Sequence, residues 1–173
     1  MEYKVDKDYS KQSSIVYACN DSLAFTKKLP DNCVQLIITS PPYNIGKEYE
    51  TRVSIAEYLK RQKLIIEELI RVLSHRGSLC WQVGNYIEKG EVYPLDIYYY
   101  NIFKNIGLRL RNRIIWHFEH GLHARKKFSG RYETILWFTK GDDYTFNLDD
   151  VRVPPKYPGK RYYKGEKKRT AIM

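Results

Sequence analysis

Residues 34–50 read VQLIITSPPYNIGKEYE, and this stretch changes character in its middle. Val34, Leu36, Ile37 and Ile38 form a nearly continuous apolar run of the kind a buried strand carries. The run halts at Thr39-Ser40, and Pro41, Pro42, Tyr43 and Asn44 follow. Both prolines lack an amide hydrogen and fix φ, so the strand ladder cannot continue and the segment is held stiffly extended. In an open α/β sheet, ligands sit beyond the carboxyl ends of the strands. Ser40 to Tyr43 would lie there, with the Pro41 carbonyl and the Ser40 hydroxyl as acceptors beside the flat face of Tyr43. Two converging acceptors and a stacking ring suit a planar base that bears an exocyclic amino group. Such an amine is a poor nucleophile because its lone pair is delocalised into the ring. Acceptors that hold its N–H bonds out of plane localise that pair by orientation and electrostatics. The base must first leave its duplex.

On either side of this stretch the pattern alternates. Residues 13–18 read as a short strand, and Asp21 opens a short helix through Leu29. Ser54-Ile55-Ala56-Glu57 has the form of a capping box. The helix it starts buries Ile55, Tyr58, Leu59, Ile65, Ile66, Leu69, Ile70 and Leu73, and His75-Arg76-Gly77 ends it. A strand over 78–84 and a helix over 94–105 complete a β-α-β-α-β-α order. That order predicts an α/β fold with a parallel sheet and helices on both faces. Residues 108–118 and 131–141 then read as strands flanking a basic, His- and Gly-containing segment, and 144–148 as a further short strand. From Val151 onward prolines, glycines and charges show no apolar period, which predicts a loop or extended arm. The expected division is 13–108 for a catalytic α/β portion, 109–150 for strands with a basic loop that continue the sheet, and 151–173 for the arm. Trp81, Trp116 and Trp137 are expected in the core.

The 173 residues suffice for one domain with a real core. No apolar run approaches the ~20 residues of a membrane span. Cys19, Cys33 and Cys80 show no paired spacing, which favours a reduced cytosolic setting. His117, His120 and His123 lack a neighbouring Cys or carboxylate framework, so no metal is expected. The net charge is +10, and the stretch from Gly121 to the C-terminus holds 13 basic and 6 acidic residues, or +7 of that total. Tyr144, Tyr157, Tyr162 and Tyr163 interleave with the cations. A polyanion such as nucleic acid is the expected partner, through phosphate contact and base stacking. A merely solvated basic tail is the bland alternative.

Four segments carry a family resemblance: LIITSPPYNIGKEYE, GSLCWQVGNY, RNRIIWHFEHGLHARKKFSGRYETILWFTKG and VRVPPKYPGKRYYKG. Together they resemble bacterial amino-type DNA methyltransferases of the β arrangement, and Ser40-Pro41-Pro42-Tyr43 matches that family's (D/N/S)-PP-(Y/F/W) motif. The resemblance implies a Rossmann-like sheet followed by a β-rich, basic target-recognition region. It implies S-adenosylmethionine as methyl donor and double-stranded DNA as substrate, with cytosine-N4 favoured over adenine-N6 because the motif begins with Ser. Ser40, Pro41, Pro42 and Tyr43 would grip the amine. Asp21, Ser22 and Ser40 would meet the cofactor, although Asn20 replaces the family's usual glycine and Asp21 serves equally well as a helix cap. Asn44, Gly46 and Lys47 would line the base pocket. His120, His123, Arg125, Lys126, Lys127, Arg131, Lys156, Lys160 and Arg161 would meet DNA. A bacterial cytoplasmic, nucleoid-associated setting follows from the same resemblance.

The family's cofactor half carries a glycine-rich loop, and none of the ten glycines here forms a Gly-x-Gly pair. The chain therefore reads as the amino-terminal portion of such an enzyme, truncated or split. Weak or no methylation by this polypeptide alone is expected, with a complementary cofactor-binding polypeptide or a second copy as partner. Strands meant to lie beside that half would expose an apolar edge. A non-catalytic DNA-binding module is the alternative reading.

Overall fold

The computed structural model describes residues 4–121, 123–164 and 167–170, with only the backbone described from 161 onward. The elements run β1 (Val5–Asp6), β2 (Ile15–Val16), α1 (Ser22–Thr26), β3 (Val34–Thr39), α2 (Ile55–Val72), β4 (Leu73–Val83), β5 (Asn85–Glu88), β6 (Glu91–Pro94), α3 (Leu95–Asn105), β7 (Arg109–His117), β8 (Tyr132–Thr139), β9 (Arg161–Lys164) and β10 (Lys167–Thr170). The central sheet has the order β3-β4-β8-β7. Only β3 and β4 are parallel, and α2 supplies the crossover that a parallel pair requires. The β4–β8 and β7–β8 pairs are antiparallel. The α/β class holds, with a mixed sheet instead of the expected parallel one. The first strand is shorter than expected and pairs only with β1.

Helix α2 begins as the sequence predicts, with Ser54 Oγ accepting from the Glu57 amide at 3.3 Å. Its end differs. The helix stops at Val72 and the chain turns directly into β4, so Gly77 lies inside a strand and terminates nothing. The register between β3 and β4 shifts between Val34 and Leu36. A Cβ at Gly77 would stand 2.7 Å from Leu73 Cδ1 and 3.0 Å from the Gln35 carbonyl oxygen, so close approach at that irregularity favours glycine.

Leu79, Trp81 and Val83 of β4 and Leu136 and Phe138 of β8 face Tyr58 and Ile66 of α2 and Leu95, Tyr99 and Phe103 of α3. The Phe103 ring lies tilted at 4.6 Å from Phe138 and edge-to-face at 5.4 Å from Trp81. Both long helices pack on this face of the sheet. The alternate positions Ser78, Cys80 and Gln82 turn the other way and are half-buried, with Trp137 Nε1 donating to Ser78 Oγ. On β3, an edge strand, Leu36 and Ile38 are 54% and 71% exposed.

Trp81 is buried as expected, and Trp137 is half-buried, but Trp116 is 56% exposed on the other edge strand, β7. The expected strand at 144–148 is absent. Tyr144 and Phe146 pack their rings on Trp137, which fixes the segment by side chains without a ladder. The helix at Asp21 ends at Thr26, short of Leu29. The arm is not wholly irregular, because β9 and β10 pair antiparallel. A hairpin of β5 and β6 joins β4 to α3, and its turn places Lys89 at φ 48° and Gly90 at φ 87°, the left-handed pair of a type I′ turn. No helix among the described residues is long and apolar enough to cross a membrane.

Candidate active site

Ser40 to Tyr43 leave the carboxyl end of β3 and line one cavity of about 380 Å³ with Ile45, Lys47, Tyr49 and Glu133. The Pro42 carbonyl accepts from Tyr58 Oη at 2.6 Å, and Tyr58 in turn shares a hydrogen with Tyr99 Oη at 2.6 Å. This pair anchors the loop to the helical core. Nothing among the described residues donates to the Pro41 carbonyl. The two prolines thus differ: the Pro42 carbonyl holds the loop, and that of Pro41 has no hydrogen-bond partner among the described residues. Ser40 Oγ and Tyr43 Oη lie 2.9 Å apart, so each orients the other's hydroxyl.

Tyr43 Oη also donates to Glu133 Oε2 at 3.2 Å, and Gln82 Nε2 donates to the same oxygen at 2.6 Å. Burial, reinforced by the Glu133 charge and opposed by the bond to Ser40, pushes the Tyr43 phenol up to about 12. It stays a neutral hydrogen-bond donor across the physiological range. The sequence reading missed Glu133; its one signal was an acidic residue within the first two positions of an otherwise apolar strand.

The second missed carboxylate is Glu50, which accepts from the amides of Asn44 at 2.9 Å, Ile45 at 2.8 Å and Gly46 at 3.1 Å. Successive amides converging on one anion form a nest, with Asn44 at φ 61° and Gly46 at φ 77°. Asn44 is 2% exposed, donates Nδ2 to the Val53 carbonyl at 2.7 Å and accepts from the Val53 amide at 2.8 Å. Of the three expected base-pocket residues, then, only Lys47 lines the cavity. The Asn44 side chain faces Val53, and Gly46 serves the turn.

Asp21 and Ser22 do not line the Ser40 cavity. Asp21 Oδ1 caps α1 by accepting from the Ala24 amide at 2.8 Å, and Asn20 Oδ1 accepts from the Asp21 amide at 2.8 Å. The other Asp21 oxygen has no hydrogen bond within the described residues and remains able to accept from a ligand hydroxyl.

The basic segment between β7 and β8 borders a second cavity of about 590 Å³, which shares Tyr43, Ile45 and Glu133 with the first. At the segment's root the Phe118 amide donates to the Arg131 carbonyl at 3.0 Å, and the Arg131 guanidinium reaches the Glu119 carbonyl and the His123 ring. His120 stacks on Phe118. His120, His123 and Arg131 are therefore engaged in holding the loop's own shape, which the sequence could not reveal. Arg125, Lys126 and Lys127 are exposed and have no ion-pair partner among the described residues. Lys156 and Lys160 both approach the Tyr157 ring, at 5.8 Å. The Arg161 side chain lies outside the described residues.

Comparison with known proteins gives the same direction from sequence and from shape. A DNA methylase family profile matches residues 34–172. Type II methyltransferase M.BglII of Bacillus subtilis is 53% identical over 149 residues, which cover 86% of this chain and 41% of that protein. The solved PvuII DNA methyltransferase (cytosine-N4-specific) superposes with a TM-score of 0.66 at 20% identity, over 80% of this chain and 54% of that one. A DNA modification methylase of Thermus thermophilus, solved in complex with S-adenosyl-L-methionine, superposes with a TM-score of 0.59 at 25% identity, over 78% and 60% of the two chains. The chain thus spans about half the length of the relatives it matches.

Proposed function

The chain belongs to the DNA methylase family, and from that premise we propose that it supplies the amine-gripping and DNA-facing part of an amino-methyltransferase. The observation that carries the reading is the division of labour in the Ser40–Tyr43 loop. Ser40, Pro41 and Tyr43 line one cavity, no described residue donates to the Pro41 carbonyl, and the Pro42 carbonyl is tied down by Tyr58. A flipped base stacked on Tyr43 would present its exocyclic amine to the Ser40 hydroxyl and the Pro41 carbonyl. They localise the nitrogen lone pair toward an electrophile approaching from the far side. Cytosine-N4 is favoured over adenine-N6, because the loop opens with a neutral serine.

S-adenosylmethionine, when bound, supplies the electrophile, a methyl group on a sulfonium. The unengaged Asp21 oxygen fits the hydroxyls of its adenosine end. For its methionine end the resemblance implies a glycine-rich loop, and none of the ten glycines here forms a Gly-x-Gly pair. A complementary polypeptide carrying such a loop, or a second copy of the chain, is the proposed partner. Exposed Leu36 and Ile38 on the β3 edge support that reading.

The test is S-adenosylmethionine binding by calorimetry, followed by methyl transfer to mixed-sequence DNA by the chain alone and with the corresponding cofactor half of a relative. Transfer that Ser40→Ala and Tyr43→Ala both abolish supports the enzyme. Arg125, Lys126 and Lys127, exposed and without an ion-pair partner among the described residues, favour a second reading, a non-catalytic DNA-binding module. DNA binding unchanged by those two substitutions, with no transfer under any pairing, would establish the module instead.

A further inference from the structure

Phe128 is 101% exposed, more than any other large apolar side chain among the described residues. Its surroundings are not those of a slack loop. The Ala124 amide donates to Ser129 Oγ at 3.1 Å, which pinches the segment and projects residues 125–128 as a tight tip. The tip reads Arg125-Lys126-Lys127-Phe128, three exposed cations followed by a bare aromatic ring. Lys127 and Phe128 line the larger cavity, whose wall includes Tyr43 and Glu133 of the amine-gripping site. A ring in water at that place has no role in the core, and the adjoining cations attract a polyanion toward it.

Drawing one nucleotide out of a duplex opens a gap in the base stack and loses stacking energy. Apolar side chains inserted between base steps hold the stack open in proteins that kink DNA. We infer that Phe128 is a stacking wedge: its ring enters the base stack at the gap left by the nucleotide drawn toward Tyr43, while Arg125, Lys126 and Lys127 hold the adjoining phosphates. The inference rests on the proposed DNA substrate and goes beyond it, because no role in gripping the amine requires an aromatic ring at the loop tip.

The experiment measures affinity for two mixed-sequence duplexes that differ only in one abasic site, where the stack is already open. The unaltered chain should bind the abasic duplex roughly tenfold more tightly, within the range that stacking of one base on one ring provides. Phe128→Ala should remove that preference with an unchanged fold by circular dichroism, and Phe128→Trp should keep it. Lys126→Ala should weaken both duplexes alike and lower the salt slope by about 1. A preference that survives Phe128→Ala, or no preference in the unaltered chain, overturns the wedge and leaves DNA binding standing. No binding to either duplex at low salt overturns the proposed DNA substrate as well.

Discussion

The Tyr43 hydroxyl donates to Glu133 Oε2 at 3.2 Å, so the loop after β3 is tied to the start of β8, ninety positions away. Gln82 braces the same oxygen from β4. The ring that would stack on a target base is therefore positioned from three elements at once. Glu133→Ala should cost about 1 kcal/mol of stability, the net value of a typical hydrogen bond, and lower reconstituted methyl transfer at least ~10-fold. Glu133→Gln, whose amide oxygen still accepts, should recover most of the transfer. Urea unfolding and tritium incorporation from labelled S-adenosylmethionine measure the two effects. Equal activity of the alanine variant and the parent would show that Tyr43 needs no tether.

Alkaline stability follows from the same residue. Burial pushes Tyr43 and Tyr58 from 10.0 up to about 12, so the folded state binds protons that the unfolded state has already released. This contribution is fully present below pH 10.0 and is lost as pH rises through about 12. Tyr43→Phe should flatten the fall in stability over that window and remove one late step from the tyrosinate absorbance titration. Loss of an early step, near the ordinary tyrosine range of about 10, would mean that Tyr43 ionises like an exposed tyrosine.

Asn44 closes a small circuit of backbone contacts. It is buried, adopts φ 61°, and makes both of its side-chain bonds to Val53. Asn44→Ala should destabilise by about 2 kcal/mol, since it leaves the half-buried Val53 amide and carbonyl without their partner and puts alanine, which tolerates the left-handed region less well than asparagine, at that position. Thermal and urea melts test this. A loss of methyl transfer with no loss of stability would instead return Asn44 to the base pocket.

Phe103 sits between Trp81 and Phe138 with no exposed surface. Phe103→Ala should cost about 3–5 kcal/mol, the usual range for removing a buried aromatic ring. Against a domain stability of roughly 5–15 kcal/mol, this variant should be partly unfolded at moderate urea. A cost near 1 kcal/mol, read by urea unfolding, would mean that the aromatic cluster collapses into the gap.

Much of the α/β portion was legible because it depends on neighbours in the chain. Apolar period, a capping box and two prolines are local signals, and they placed β3, α2 and the Ser40–Tyr43 loop. The β5–β6 hairpin escaped because its turn carries Lys89-Gly90 in place of the more telling Asn-Gly. The end of α2 escaped because Gly77, a plausible helix stop, lies inside β4 where close approach favours glycine.

The sequence by itself determined the class of fold and the family and marked the Ser40–Tyr43 loop, since short-range pattern and residue type suffice for those. Tertiary structure alone decided which groups are free to act. Antiparallel addition of β8 to β4 brings Glu133 to Tyr43, and Tyr58 claims the Pro42 carbonyl while no described residue donates to that of Pro41. Likewise, the loop between β7 and β8 occupies His123 and Arg131 in its own closure and leaves Lys127 and Phe128 outward. Hydrogen-bond saturation is a property of partners distant in sequence, so no reading of one segment at a time could assign it.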